Sequence, residues 1–216
     1  MEPLLPYDDL PHLTGVIPLL RTLTLGPDTA FAPVADPVVI FTEAPNLKEV
    51  VLSNYFNAFC ITLPWSQITK LKMTECLYDT EMVAILHQTV VLEECSFALI
   101  NMLSLPIPPI PPLVHLRSLI LSNPNSEAEA YHILLLALTL PALEVIEALE
   151  SFLGADPIAT LSALRPYGYP QRIRIFDARS TSNVITMYTA AFPEATVNVK
   201  SMCMWNWEDE SDLDQY

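Results

Sequence analysis

Eight stretches of this chain share one pattern, an apolar residue followed three and then two positions later by further apolar residues. Six are full copies: Leu20-Leu23-Leu25, Leu47-Val50-Leu52, Ile68-Leu71-Met73, Leu92-Cys95-Phe97, Leu116-Leu119-Leu121 and Leu143-Ile146-Ala148. Two weaker copies lie at Ile173-Ile175 and Val197-Val199. The full copies are spaced 27, 21, 24, 24 and 27 residues apart. A period of roughly 20–29 residues is that of a leucine-rich repeat, in which one short strand and its return segment form a unit that buries its apolar face only by stacking on the next.

The intervals between copies carry helix-start signals. Ser126-Glu127-Ala128-Glu129 reads as a capping box opening a helix through about Leu138. Asp36-Pro37 is expected to start a short helix through Thr42, and Asp79-Thr80-Glu81 introduces Met82, Val83, Ile85 and Leu86 at helical spacing. Asp156-Pro157 opens a helix reaching Leu164, and residues 180–192 form a further amphipathic segment ending at Pro193. Strands and helices that alternate at so short a period leave little room for the long crossovers of a doubly wound sheet. The expected fold is therefore α/β, a leucine-rich-repeat solenoid of about seven or eight degenerate repeats. Its curved parallel sheet forms the concave side, with helices and loops on the convex side. The domain spans residues 16–200, with an irregular segment at 1–15 and an acidic tail at 201–216.

Within each strand the second and third pattern residues point into the core and their alternating neighbours point to the concave face, because strand side chains have a period of two. The candidate partner-binding residues so defined are Glu49, Lys70, Lys72, Glu94, Glu147, Arg172, Arg174, Asn198 and Lys200. Five of the ten basic residues (Lys70, Lys72, Arg172, Arg174 and Lys200) fall there in a chain of net charge -15. That acidity repels phosphate backbones and anionic lipid, so neither nucleic acid nor a membrane is an expected partner, and a protein with a basic patch fits better. The start of the chain lacks a secretory n-region and h-region, which points to an intracellular location, cytoplasmic or nuclear. The apolar run Ile133 to Leu140 ends at Pro141, too short for a bilayer and suited to a buried helix.

Catalytic, metal and cofactor chemistry finds no footing. The four glycines form no phosphate loop and no nucleophile elbow. Cys60, Cys76, Cys95 and Cys203 contain no C-x-x-C pair, and His12, His87, His115 and His132 are scattered. Cys95 and Cys76 read as small buried hydrophobes. The chain is expected not to be an enzyme, and to need no cofactor or metal.

The phrases Ala44-Pro45-Asn46-Leu47-Lys48-Glu49-Val50-Val51-Leu52, Leu63-Pro64-Trp65-Ser66-Gln67-Ile68-Thr69-Lys70-Leu71 and Leu113-Val114-His115-Leu116-Arg117-Ser118-Leu119-Ile120-Leu121, with Leu140-Pro141-Ala142-Leu143, resemble one known family. They are similar to the leucine-rich-repeat portion of the F-box proteins abundant in mushroom-forming (basidiomycete) fungi, over roughly residues 16 to 165 on the repeat reading. The resemblance implies a substrate-recognition array of a cullin-RING ubiquitin ligase. The F-box of that family has no counterpart in the residues ahead of the first repeat, so no F-box residue carries over. The ligase adaptor is then a partner only if an F-box lies elsewhere. The alternative is a truncated or stand-alone repeat protein that serves as scaffold or regulator with no ligase connection.

Two further segments stand apart. Residues 105–112 are rich in proline. An SH3-type ligand would read Pro108-x-x-Pro111 or Pro109-x-x-Pro112, but no Arg or Lys flanks either, and a stiff ascending loop is the expectation. Trp205 and Trp207 are candidates to cover the end of the last repeat, with a solvated acidic run behind them.

Overall fold

The computed structural model describes residues 16–25, 38–39, 41, 43–52, 61–101, 107–121, 128–164, 170–176 and 181–200. The capping box at Ser126, the segment 1–15, Leu105-Pro106, the tail with Trp205 and Trp207, and the side chains of Cys76 and Lys200 lie outside the described residues.

In chain order the elements are β1 (Thr22–Leu25), β2 (Val38–Val39), β3 (Glu49–Leu52), β4 (Ile61–Thr62), β5 (Lys70–Tyr78), α1 (Asp79–Gln88), β6 (Glu94–Asn101) and β7 (Ser118–Leu121). They continue with α2 (Ala128–Ala137), β8 (Val145–Leu149), α3 (Pro157–Leu164), β9 (Arg172–Phe176), α4 (Thr181–Ala191) and β10 (Thr196–Lys200). Single 3-10 turns lie at Trp65–Gln67 and Glu150–Leu153. Eight strands form one parallel sheet in the order β1-β3-β5-β6-β7-β8-β9-β10, and β2 pairs with β4 in a separate parallel sheet. The eight large-sheet strands thus follow one another in chain order, as expected.

The register keeps the pattern residues in line. Leu23, Val50, Leu71, Cys95, Leu119, Ile146, Ile173 and Val197 are successive partners across the sheet. All but Val197 are buried, together with Leu25, Leu52, Met73, Phe97, Leu121, Ala148 and Ile175 two positions on. Val197 and Val199, on the terminal strand β10, are half-buried and pack against the edge of this core. A shift of one residue in any strand would turn its apolar pair outward, so burial itself fixes the register. Cys95 is buried, as its position in the pattern requires, and burial pushes its thiol up to about 12.

A tight turn precedes six strands of the large sheet, β1, β3, β5, β6, β7 and β8. The amide of Leu20 donates to the Ile17 carbonyl, and the same i to i+3 bond links Leu47 to Ala44, Ile68 to Trp65, Leu92 to Thr89, Leu116 to Leu113 and Leu143 to Leu140 at 3.1–3.3 Å. Neighbouring coils are stitched at this level: Asn46 Nδ2 donates to the Pro18 carbonyl (2.6 Å) and Gln67 Nε2 to the Ala44 carbonyl.

The helices supply the other wall of the core. Met82, Val83, Ile85 and Leu86 of α1, Tyr131, Leu134 and Leu135 of α2, Leu161 and Leu164 of α3, and Tyr188 of α4 are buried in the same cluster as the strands. Asp156 opens α3 as expected, its Oδ1 accepting from the Ala159 amide at 3.0 Å. The run from Ile133 is a helix with one wet side, for Leu136 is 56% exposed.

Two expectations are corrected. Within the helix expected from Asp36-Pro37 to Thr42, Val38–Val39 form a strand instead, paired with Ile61–Thr62, while residues 36, 37, 40 and 42 lie outside the described residues. Consecutive β-branched residues lose side-chain freedom in a helix and fit a pleated ladder, which outweighs the capping signal. Phe41 closes this stretch with φ 58 and its carbonyl accepting from Ala44, a left-handed conformation incompatible with a helix continuing through it. The second correction is length: β5 and β6 run nine and eight residues, well past the pattern residues. Their pairing shifts register between Lys72 and Cys76, so the Cys76 backbone lies in a strand extension instead of a return turn.

Candidate recognition face

The outward sides of the eight strands form two rows set by the register. One row runs Thr22, Glu49, Lys70, Glu94, Ser118, Val145, Arg172 and Thr196. The other runs Thr24, Val51, Lys72, Ser96, Ile120, Glu147, Arg174 and Asn198. All sixteen are half-buried or exposed, while the residues between them are buried except on β10, so the rows share the face turned away from the core. Eight of the nine sequence-derived candidates belong to these rows. The ninth, Lys200, has its backbone opposite Phe176, four positions further along β10 than Thr196.

Directly opposed side chains in a sheet interact when their charges are opposite. Lys70 Nζ lies 2.9 Å from Glu94 Oε1, with both side chains about half exposed. The hydrogen bond that Lys70 donates to Glu94, followed by that carboxylate's charge, holds the Lys70 ammonium above its ordinary value. A lysine raised in this way stabilises the fold fully below pH 10.5 and loses that contribution as pH rises through the raised value. Solvent keeps it small, a few tenths of a kcal/mol by the usual worth of exposed pairs, about 0.2–1 kcal/mol. The second pair is drier: Arg174 Nη1 donates to Glu147 Oε1 at 2.6 Å, with the two side chains 33% and 16% exposed. Thr22 Oγ1 donates to Glu49 at 3.4 Å. Arg172 stands between Val145 and Thr196 and is exposed, with no ion-pair partner among the described residues.

Sequence reasoning missed the rim of this face. The residue ahead of each strand (Arg21, Lys48, Thr69, Glu93, Arg117, Glu144, Gln171 and Ala195) sits where its coil enters the sheet. Within this row Arg117 Nη1 and Glu144 Oε1 are 3.5 Å apart across neighbouring coils. The signal was the parity argument, which assigns these positions to the core side; they lie outside the sheet proper, and all are exposed or half-buried.

Rim and face together comprise 24 positions that carry seven basic and five acidic residues, a net charge of +2. The remaining 192 positions carry three basic and twenty acidic residues, a net charge of -17. The charges are therefore segregated along the chain according to where the sheet presents them. At the centre of the face Ile120 and Val145, with Ser96 and Ser118, make a less polar patch between the charged pairs.

Among the described residues no group of three His, Cys, Asp or Glu could hold a metal ion, and no helix is long and apolar enough to cross a membrane. No protein-family model matches the chain, and neither the curated proteins nor the solved structures contain a match.

Proposed function

We propose that the outward face of the large sheet recognises a protein partner, in the manner of the leucine-rich-repeat arrays that hold substrates for cullin-RING ubiquitin ligases. The charge segregation carries this reading. A solvent-facing sheet needs polar residues only, with no preference of sign, yet here the face and rim hold seven of ten basic residues in an acidic chain. The strand order and recurring turn support a repeat array of the leucine-rich kind, and the phrases around Leu47, Ile68 and Leu116 support the F-box-associated branch. The acidic remainder steers a cationic partner from a distance, while contact on the face matches charges of both signs. The half-buried apolar centre is the place for an anchor side chain, because binding energy concentrates where water is excluded.

The test is capture of partners from a cell extract by the full chain and by Lys70→Glu/Lys72→Glu. Captured material is scored for substrate proteins and for the ligase adaptor and cullin. The double variant should lose partners roughly tenfold, the equivalent of about 1.4 kcal/mol, with its melting midpoint nearly unchanged. Equal loss of capture and of stability would defeat the reading. Recovery of partners with neither ligase component would assign the chain to a stand-alone scaffold.

A further inference from the structure

The approach to the turn at Leu113 has a periodicity that neither helix nor strand possesses. Ile107 packs against the core, Ile110 and Leu113 are buried, and Pro108, Pro109, Pro111 and Pro112 are exposed. Burial at every third residue is the signature of a polyproline II segment, which has three residues per turn and no internal hydrogen bonds. Prolines fix φ near that conformation, and the Leu113 amide, donating to the Thr139 carbonyl at 3.1 Å, ties the end of the segment to the next coil. One edge of a three-sided rod is thus seated on the core. The other two edges, Pro108 with Pro111 and Pro109 with Pro112, face solvent.

From this geometry we infer that residues 107–113 present a ready-made ligand for a small domain that reads Pro-Pro pairs in a groove lined by tyrosine and tryptophan, of the WW type. Such readers contact two edges of the rod and leave the third pointing away. Here the third edge is the one anchored by Ile107, Ile110 and Leu113. The ordering cost that a free proline-rich peptide meets on binding is already met by folding. Between residues 101 and 116 the chain has no Asp, Glu, Lys or Arg, which excludes readers that need an arginine beside the prolines and fits those that use stacking alone. This site is independent of the large sheet's outward face.

The experiment is a titration of the full chain into an isotope-labelled WW domain of the class that reads unphosphorylated Pro-Pro motifs, followed by shifts of its aromatic resonances. Saturable binding centred on the groove is expected. It should weaken roughly tenfold, on the scale of one lost aromatic contact, in Pro109→Ala/Pro112→Ala. Pro108→Ala/Pro111→Ala should weaken it similarly, and Lys70→Glu/Lys72→Glu should leave it unchanged. Melting midpoints of the proline variants should fall by only a few °C, because the substituted side chains lie in solvent and each lost proline adds roughly 0.4–1 kcal/mol of unfolded-chain entropy. Absence of binding, or binding that survives both proline variants, overturns the inference. Loss of binding only in variants that are unfolded at the assay temperature would also overturn it, since the prolines would then be structural.

Discussion

Gly154 shows how one backbone position can constrain two elements. Its φ of 78 and ψ of -159 place it where an L side chain is strained, and a Cβ there would stand 2.6 Å from the His132 ring on α2. The close approach lets the 3-10 turn after β8 seat Phe152 against Tyr131, with stacked rings 3.8 Å apart at 14°. Gly154→Ala should therefore cost about 2–3 kcal/mol, from the left-handed backbone and the displaced imidazole. For a chain of this size that lowers the melting midpoint by roughly 4–12 °C. Calorimetry of the single variant checks this, and His132→Ala in the same background should return part of the loss by making room for the methyl group. Tyr188 is a contrasting residue. Its ring is fully buried in the core and its hydroxyl has no hydrogen-bond partner among the described residues. Burial, and secondarily the Glu150 carboxylate, push that hydroxyl above its ordinary value.

At the scale of elements, α3 is the clearest case of a boundary written in side chains. Asp156 accepts from the Ala159 amide, and Thr160 Oγ1 donates to the Leu153 carbonyl at 2.8 Å, closing the first turn onto the preceding 3-10 turn. Asp156→Ala should cost about 1 kcal/mol, the usual worth of an N-cap, or roughly 2–4 °C in melting midpoint, and Asp156→Ser should recover most of it. An unchanged midpoint in Asp156→Ala would mean that the stacked neighbours alone hold the helix. The same kind of signal misled at Asp36-Pro37, where Val38 and Val39 form a strand. A cap makes a helix start available, but β-branched residues and a parallel partner at Ile61–Thr62 decide the outcome. The strands of the large sheet were legible because a period of two combined with a fixed repeat leaves each apolar pair one place to go. The extension of β5 and β6 was not, since nothing local to residues 74–78 or 98–101 distinguishes a continued ladder from a return turn. The outward rows were readable residue by residue, whereas their pairing, Lys70 with Glu94 and Arg174 with Glu147, depends on which strands lie side by side. The rim was hidden because strand parity stops applying one residue before the strand.

For the whole molecule, stacking in chain order means that each coil touches only its neighbours, so stability is a sum of coil and interface contributions and the ends are the first to open. The array offers an internal standard for this, because one hydrogen bond recurs at equivalent places. The amide opening each strand of the large sheet after β1 donates to the rim carbonyl of the preceding coil, as in Glu49 to Arg21 (3.1 Å), Ser118 to Glu93 (3.1 Å) and Thr196 to Gln171 (2.7 Å). The hydrogen bond is common to the series and burial is not, for Leu119 beyond Ser118 is closed off from solvent while Val197 beyond Thr196 is half-buried. Amide exchange at Ser118 should then proceed only through global opening, and exchange at Thr196 through local loss of β10. That difference should amount to roughly a hundredfold or more in protection, since local openings span the range from near zero to the full stability of the fold. Residue-resolved hydrogen exchange under native conditions reads it directly. Equal protection at the two positions would mean that the eight strands open as one unit, and the picture of additive coils would have to be replaced by a single cooperative sheet.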